Sequence, residues 1–584
     1  LSTDITDTKQ TLEYETERPN SLYDPSGSFQ NINRRYDIVY GDVMLNFNYN
    51  IRRFDIAATL GWTGRYENMN NMRVSTNGGL VTENWFDLNA SRYTASSTLQ
   101  RMELLKTGYM GTLSLGWDNY LFLELTGRQE RSSTLKDQSF FYPSANLSFL
   151  FSNAFRMPAW WNHGKLRLSY GVVGNAPETY AANIIYEQGS DNGFTWNYVP
   201  SSWGNANIRP EKKYEYEIGF ESKFLNNRLG FDVSYYNNRV KDQILSTPQP
   251  STSGVKYVLM NVGEVANEGW DISVSATPVL TKNFRWDLTA NYGIYRNKVV
   301  KLADGVPYLE ISNIGGGGAK IQAVEGRPMG DIYVQVPQMN ENGEYLVSDK
   351  GLYMNQTELQ RVGNINPDGV GGLFSSFSYK NIFLDFSIDF RIGGDVINEM
   401  YQYSTASGLT PESLQFRDTE HGGLSYYYPG NNNASGVPVQ VDPSLGAGPN
   451  GETVYHDGVI LPGVVASTGE KNTRIIPAGY YYNQTYNWGT QPEQLTYRHS
   501  VFDNSYVKLR ELTIGYQFPE KLISKLGMTR LSVSVFGRNL FYFYKALKNY
   551  DAESSVGTSW ASQAVVGGST TATRNFGVSL RASF

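Results

Sequence analysis

Apolar and polar residues alternate with period two along much of this chain, the mark of β-strands with one apolar face. Phe284, Trp286, Leu288, Ala290, Tyr292 and Ile294 interleave with Arg285, Asp287, Thr289, Asn291 and Gly293. Ile382, Leu384, Phe386, Ile388 and Phe390 repeat the pattern, as do Leu229 to Tyr235, Leu512 to Phe518, and Phe576 to Phe584. Fifteen such segments are predicted as strands: 43–51, 54–62, 109–117, 120–128, 145–151, 165–172, 214–224, 229–239, 270–276, 284–294, 372–379, 382–391, 506–518, 531–541 and 576–584.

The links between them carry a second pattern. Short links, at Arg52-Arg53, Asp118-Asn119, Asn226-Asn227 and Lys380-Asn381, take turns with long ones at 63–108, 173–213, 240–269, 295–371, 392–505 and 542–575. Transmembrane β-barrels have tight turns on the periplasmic side and extended loops outside. The expected fold class is therefore all-β: a transmembrane antiparallel β-barrel whose last strand descends to leave Phe584 in the periplasm. Open edges in hydrocarbon would strand unpaired N–H and C=O groups. Further strands must therefore come from an upstream part of the same protein, and the whole of 1–584 is read as the C-terminal part of a barrel.

Composition sharpens this. No run of about 18 apolar residues is present, so no helix is expected to cross a membrane. The 57 Gly, 23 Pro, 42 Tyr, 28 Phe and 11 Trp suit strands and turns. A net charge of −6 argues against nucleic acid as a partner. The chain holds no Cys, which excludes disulfides and thiolate metal sites.

Several stretches resemble one family. Leu168-Ser169-Tyr170-Gly171-Val172-Val173-Gly174-Asn175 precedes a long loop. Asn207-Ile208-Arg209-Pro210-Glu211-Lys212 is followed by Tyr216-Glu217-Ile218-Gly219, and Gly263 to Gly269 forms a GxxxNxG strand entry. Ser505 to Tyr516 (SYVKLRELTIGY) and Gly537-Arg538-Asn539-Leu540-Phe541 match best. Together they resemble the SusC-like branch of the TonB-dependent outer-membrane transporters. The terminal Phe584 is similar to the insertion signal read by the barrel-assembly machinery.

The resemblance implies a barrel of about 22 strands around an N-terminal plug. Neither plug nor TonB box is found in the sequence given. A run of 15 would begin at strand 8, which descends as strand 22 does. It also implies active import of a nutrient, an oligosaccharide or oligopeptide, with a SusD-like surface lipoprotein as lid and a TonB complex acting on the plug. A scaffold role in a larger outer-membrane complex, and a siderophore or cobalamin receptor, are the alternatives.

Candidate chemistry is sparse, and no cofactor or enzymatic role is expected. His163, His421, His456 and His499 are scattered and lack metal-ligand spacing. Asn340-Glu341-Asn342-Gly343-Glu344 and Asn366-Pro367-Asp368-Gly369 read as turns rather than calcium loops. Gly315-Gly316-Gly317-Gly318-Ala319-Lys320 lacks the spacing of a phosphate loop and reads as a flexible loop. No nucleophile–base–acid constellation stands out. Aromatics near strand ends, among them Trp62, Trp117, Tyr120, Trp270, Trp286 and Tyr292, are assigned to a lipid-interface girdle. Loop aromatics are read first as packing or lid contacts and second as faces that stack on sugar. The ligand or lid contacts singled out are Trp196, Trp203, Tyr427, Tyr481, Tyr482 and Trp488, with Tyr198, Tyr426, Tyr428 and Tyr480 beside them.

Overall fold

The alternating segments all lie in strands of one sheet, which a sixteenth strand, Ser2–Tyr14, joins ahead of them. The computed structural model describes the chain apart from positions 1, 16–25, 137, 192, 251, 253, 488–496 and 569–571. In chain order the sheet strands are β1 (Ser2–Tyr14), β2 (Ser28–Ile51), β3 (Phe54–Leu80), β4 (Ser91–Trp117), β5 (Leu121–Ser132), β6 (Ser139–Phe149), β7 (Trp161–Asn175) and β8 (Glu211–Phe224). They continue as β9 (Leu229–Lys241), β10 (Glu264–Leu280), β11 (Phe284–Lys301), β12 (Gly369–Tyr379), β13 (Ile382–Ile392), β14 (Tyr506–Gln517), β15 (Arg530–Lys545) and β16 (Asn575–Ser583). Each is hydrogen-bonded to its sequence neighbours in this list. The chain forms two compact units, one of residues 1–221 and 235–266, the other of 222–234 and 267–584.

In the first unit the register lines up whole apolar rows. Leu45 faces Leu60, Tyr49 faces Ile56, and Ile56 faces Leu115. Leu115 then faces Leu123, Leu123 faces Leu147, and Leu147 faces Leu168. These side chains look outward: Val43 is 71% exposed and Leu45 70%. A sheet that turns its apolar face outward is inverted relative to a water-soluble one. The two-residue link at Arg52-Arg53 and the three-residue link at 118–120 put Arg52, Asp118 and Asn119 at positive φ, as tight hairpin turns require.

The expected loop 63–108 is mostly strand. β3 runs on to Leu80 and β4 begins at Ser91, leaving a link of 81–90. Each is 27 residues long, whereas a membrane-crossing strand needs about 9–11. Unbroken alternation of exposed apolar residues is confined to the part beside the tight turns, 43–51, 54–62 and 109–117. Further along, polar residues enter both faces: Arg65, Glu67, Asn68 and Asn70 on β3 and Lys106, Glu103 and Arg101 on β4 stand among scattered apolar residues such as Tyr66, Met72, Leu99 and Leu105. With neither face consistently apolar there is no regular alternation to detect, and the sequence reads as loop.

In the second unit, Trp286 faces Phe377, Phe377 faces Leu384, and Leu384 faces Ile514. The row continues from Ile514 to Val535 and from Val535 to Val578. Small residues make room where rings cross. A Cβ on Gly515 would lie 2.1 Å from the Phe383 ring, and one on Gly371 2.4 Å from Phe390.

The buried core of this unit lies in its long loops. Segments 295–371 and 392–505, read from the sequence as long loops, carry sheets and helices of their own. One four-stranded sheet joins Tyr308–Ile314, Ala319–Val324, Asp331–Val334 and Gln360–Asn364. A second joins Val439–Gln440, Leu424–Tyr427, Val454–Val459 and Ile476–Pro477, in that order. Helices Glu399–Ala406 and Ala478–Tyr486 pack beside them. Ile321, Ile332 and Val334 from the first segment, Ile397 and Tyr497 from the second, and Val565 from the loop after β15 form one buried cluster. The glycine run is a tight turn and not a flexible loop: a Cβ on Gly315, at φ +58°, would stand 1.9 Å from Tyr497 Oη.

Candidate functional site

Two features of these units can meet a solute: the polar face of the sheet and the folded loops. On the polar face of the first unit, small hydrogen-bonding residues form a cross-strand lattice. Thr59 Oγ1 donates to Asn46 Oδ1 at 2.8 Å, and Asn146 Nδ2 and Ser114 Oγ both reach the Glu124 carboxylate, at 3.3 and 3.4 Å. Asn48, Asp55, Ser114, Glu124, Asn146 and Ser148 line a hollow of about 570 Å³ on this face. Higher on the same strands, Arg65 pairs with Glu67 at 2.6 Å and Arg128 with Glu130 at 2.8 Å. Each pair joins residues two apart on one strand, the spacing that places side chains on one face.

On the second unit, Ser376 Oγ donates to Asp385 at 2.6 Å, and Arg538 pairs with Glu511 at 2.8 Å. The densest cluster surrounds Arg510. Strict alternation would put Arg510 on the apolar row with Leu512, Ile514 and Tyr516. Instead the register skips it against both β13 and β15, between Leu509 and Glu511. Such a bulge re-aims a side chain. Arg510 thereby reaches Asp389 at 2.5 Å, Asn539 Oδ1 at 2.9 Å and Glu553 at 2.5 Å. Lys508, only 2% exposed, pairs with the same Glu553. Nearby, Tyr542 donates to Asp551 Oδ1 at 2.5 Å, and Asp551 Oδ2 accepts from the Ala572 N–H at 3.0 Å. These contacts fasten the loop after β15 to the sheet. The two motifs of the resemblance, SYVKLREL and GRNL, supply Lys508, Arg510 and Asn539.

The loops of the second unit carry a buried ion cluster as well. Asp331, fully buried, accepts from Arg327 at 2.6 Å, Arg361 at 2.9 Å and Asn364 Nδ2 at 2.9 Å. The turn at Asn340 is closed by its own side chain, whose Oδ1 accepts from the N–H groups of Asn342 and Glu344.

The aromatic residues singled out from the sequence divide between packing and exposure. Tyr482 is buried; its hydroxyl donates to Glu412 O at 2.8 Å. Tyr481 is half-buried and packs against two apolar clusters, and burial pushes its phenol up. Tyr427 lies in Leu424–Tyr427, opposite Val454. These three sit in one loop segment. In the first unit, Trp203 meets Tyr186 edge to face at 5.8 Å, while Trp196 stays 48% exposed on the hairpin of Glu187–Asp191 and Phe194–Tyr198. Trp488 lies outside the described residues. Phe584 is 83% exposed at the end of β16.

The structure also gathers residues that the sequence did not single out as contacts, His456 among them having been weighed only as a metal ligand. Arg417, Tyr455, His456, Asp457 and Asn483 join Tyr482 around a cavity of about 660 Å³ in the loops of the second unit. Only the adjacency of Tyr455, His456 and Asp457 on a short strand could have hinted at it.

The family description "TonB dependent receptor-like, beta-barrel" matches residues 2–331, more than half of the 584. TonB-dependent receptor P3 of Formosa agariphila is 22% identical over 494 residues, covering 77% of this chain and 42% of that protein. TonB-dependent receptor SusC of Bacteroides thetaiotaomicron is 27% identical over 256 residues, 38% of this chain and 24% of that protein. A solved structure of the RagAB peptide transporter shares the fold with a TM-score of 0.72 at 19% identity, over 99% of this chain and 58% of that one. The chain thus spans less than two thirds of these proteins. The apolar rows, the tight turns and the matched residues agree, and the chain belongs to the TonB-dependent receptor-like β-barrel family, a family of the outer membrane.

Proposed function

We propose that this chain forms wall and extracellular loops of an outer-membrane importer similar to SusC, working with a plug that a TonB complex engages. A SusD-like surface lipoprotein closes over the loops, and the cargo is an oligosaccharide or oligopeptide. The observation that carries this reading is the arrangement within the second unit. Its sheet is apolar on one face and polar on the other. At one end its strands are joined by the short links 225–228, 281–283 and 380–381 and the longer 518–529, while at the other end two segments, 302–368 and 393–505, each exceed 60 residues and carry strands and helices of their own. A wall facing lipid needs the first property, and capture of a solute needs the second, since long loops with structure are usually functional. Phe584 serves insertion by the barrel-assembly machinery.

Growth tests this reading. A strain lacking the full-length gene, supplied with single carbon sources, should lose growth on one class of oligosaccharide or peptide. Loss of outer-membrane integrity with no nutrient defect would favour the scaffold role instead. Loss of growth only under iron or cobalamin limitation would favour a siderophore or cobalamin receptor.

A further inference from the structure

The cavity beside Tyr455 has features that the import reading does not by itself require. Tyr455, His456 and Asp457 are consecutive in Val454–Val459, yet all three line it. In a regular strand, neighbours point to opposite faces. Here the register slips between Leu424 and Tyr426, whose partners are Gly458 and Tyr455, so two residues stand opposite Ser425 alone. This bulge turns His456 and Asp457 toward the same space, and bulges of this kind concentrate beside binding sites.

The residues are also held in place. Tyr455 stacks on Tyr426 at 5.5 Å with 22° between the rings, and Tyr426, 1% exposed, is fixed by a hydrogen bond to Asp457 Oδ1 at 3.1 Å. His456 Nδ1 is held by Ser425 Oγ at 2.9 Å, and Arg417 Nη2 donates to Gly408 O at 2.9 Å. Tyr455 thus offers one flat ring face, backed by a second ring, among planar polar groups with hydrogen-bonding positions to spare. An anchored group loses little freedom when a ligand arrives.

We propose that this cavity is a saccharide subsite of the loops, with Tyr455 as the stacking platform and Arg417, Asp457 and Asn483 binding ring hydroxyls. The proposal rests on the import reading and deepens it by naming the cargo class. Two features select a sugar. The negative face of an aromatic ring attracts the C–H groups on one side of a pyranose, while its equatorial hydroxyls project sideways toward guanidinium, carboxylate and carboxamide groups. Arg417 and Asp457 carry opposite charges, so neither a strongly anionic nor a strongly cationic ligand is selected. A volume of about 660 Å³ lies inside the roughly 300–1,000 Å³ usual for ligand pockets.

The test is equilibrium binding by isothermal titration calorimetry to the full-length protein purified in detergent. The probes are maltohexaose, cellohexaose, xylohexaose and mannohexaose, with a tryptic digest of casein as the peptide arm. At least one hexasaccharide should bind saturably. Tyr455→Ala and Asp457→Asn should each weaken it at least tenfold, and Tyr455→Phe, which keeps the platform, should stay within twofold and report on folding. Three results overturn the proposal: no hexasaccharide binds; one binds and Tyr455→Ala leaves it unchanged; or the casein peptides bind and it is their binding that Tyr455→Ala removes. If a hexasaccharide binds in this way but cells do not take it up, the import reading fails and the subsite stands.

Discussion

Arg510 grips Glu553 with two hydrogen bonds, Nη2 to Oε1 at 2.5 Å and Nη1 to Oε2 at 2.9 Å. Through that carboxylate the loop after β15 is tied to the sheet. Lys508 shares the carboxylate and is almost wholly buried. Removing one partner of a buried ion pair costs about 3–5 kcal/mol, because the other charge is left unpaired. Glu553→Gln should therefore loosen residues 546–568 by roughly 3 kcal/mol, seen as faster amide hydrogen exchange there and unchanged exchange in β12 and β13. Adding Lys508→Met should restore part of the protection. Equal exchange in wild type and Glu553→Gln would show that the grip holds nothing.

The same carboxylate sets a pH dependence. Burial pushes Glu553 up, but hydrogen bonds from Arg510 and Lys508, with their charges, outweigh burial and hold it below the usual carboxylate range. A group whose folded pKa is depressed gives its full stabilisation above its unfolded value, about 4.3 for Glu, and loses it as pH falls through the lower folded value. Limited proteolysis of the loop should stay constant from neutral pH down to about pH 5 and rise below about pH 4. Loosening that began on the alkaline side of neutrality would contradict this.

Gly315 is the tightest point in the loop core. Alanine there would need a left-handed backbone and would drive its Cβ against the Tyr497 hydroxyl. Left-handed strain and overpacking each cost on the order of 1–3 kcal/mol. Gly315→Ala should lower the apparent melting temperature of the loops, and Tyr497→Phe, which deletes the nearest atom, should recover part of the loss.

Alternation of faces can be read directly because the chain has no Cys. Leu45→Cys should react with a maleimide dissolved in lipid and resist a charged aqueous one, and Asn46→Cys should do the reverse. At Arg34 and Arg35, where both faces are polar, cysteines should both prefer the aqueous reagent. A lipid preference at position 35 would place the membrane elsewhere along β2.

How much of this was legible follows from where apolar side chains sit. The strands of the sheet announced themselves wherever one face carries Leu, Phe, Trp or Val, as in 43–51 or 284–294. The upper parts of β2, β3 and β4, and all of β1, escaped because polar residues occupy both faces. The loop sheets escaped because strands such as Val439–Gln440 or Ile476–Pro477 are too short to show a period. Tyr482 was singled out for its aromatic context; its hydroxyl donates to Glu412 O, and the residue lines the cavity. Asp457 was missed, and His456 weighed only as a metal ligand, because only a bulge brings these neighbours to one place; Arg417 was missed because it joins them from a distant part of the chain. Arg510 was visible as part of a motif, but nothing in the motif says that a charge on the apolar row will be turned inward.

The reach of β3 and β4 past their apolar rows divides that hairpin into portions with different solvents. Residues 63–80 of β3 add roughly 60 Å of strand at about 3.3 Å per residue, wet on both sides and built on backbone ladders and polar pairs. No oily sheath clamps this ribbon, so warming should fray it from the tip at Leu80 and Ser91 downward. The banded portion below would outlast it and melt later as a separate cooperative step.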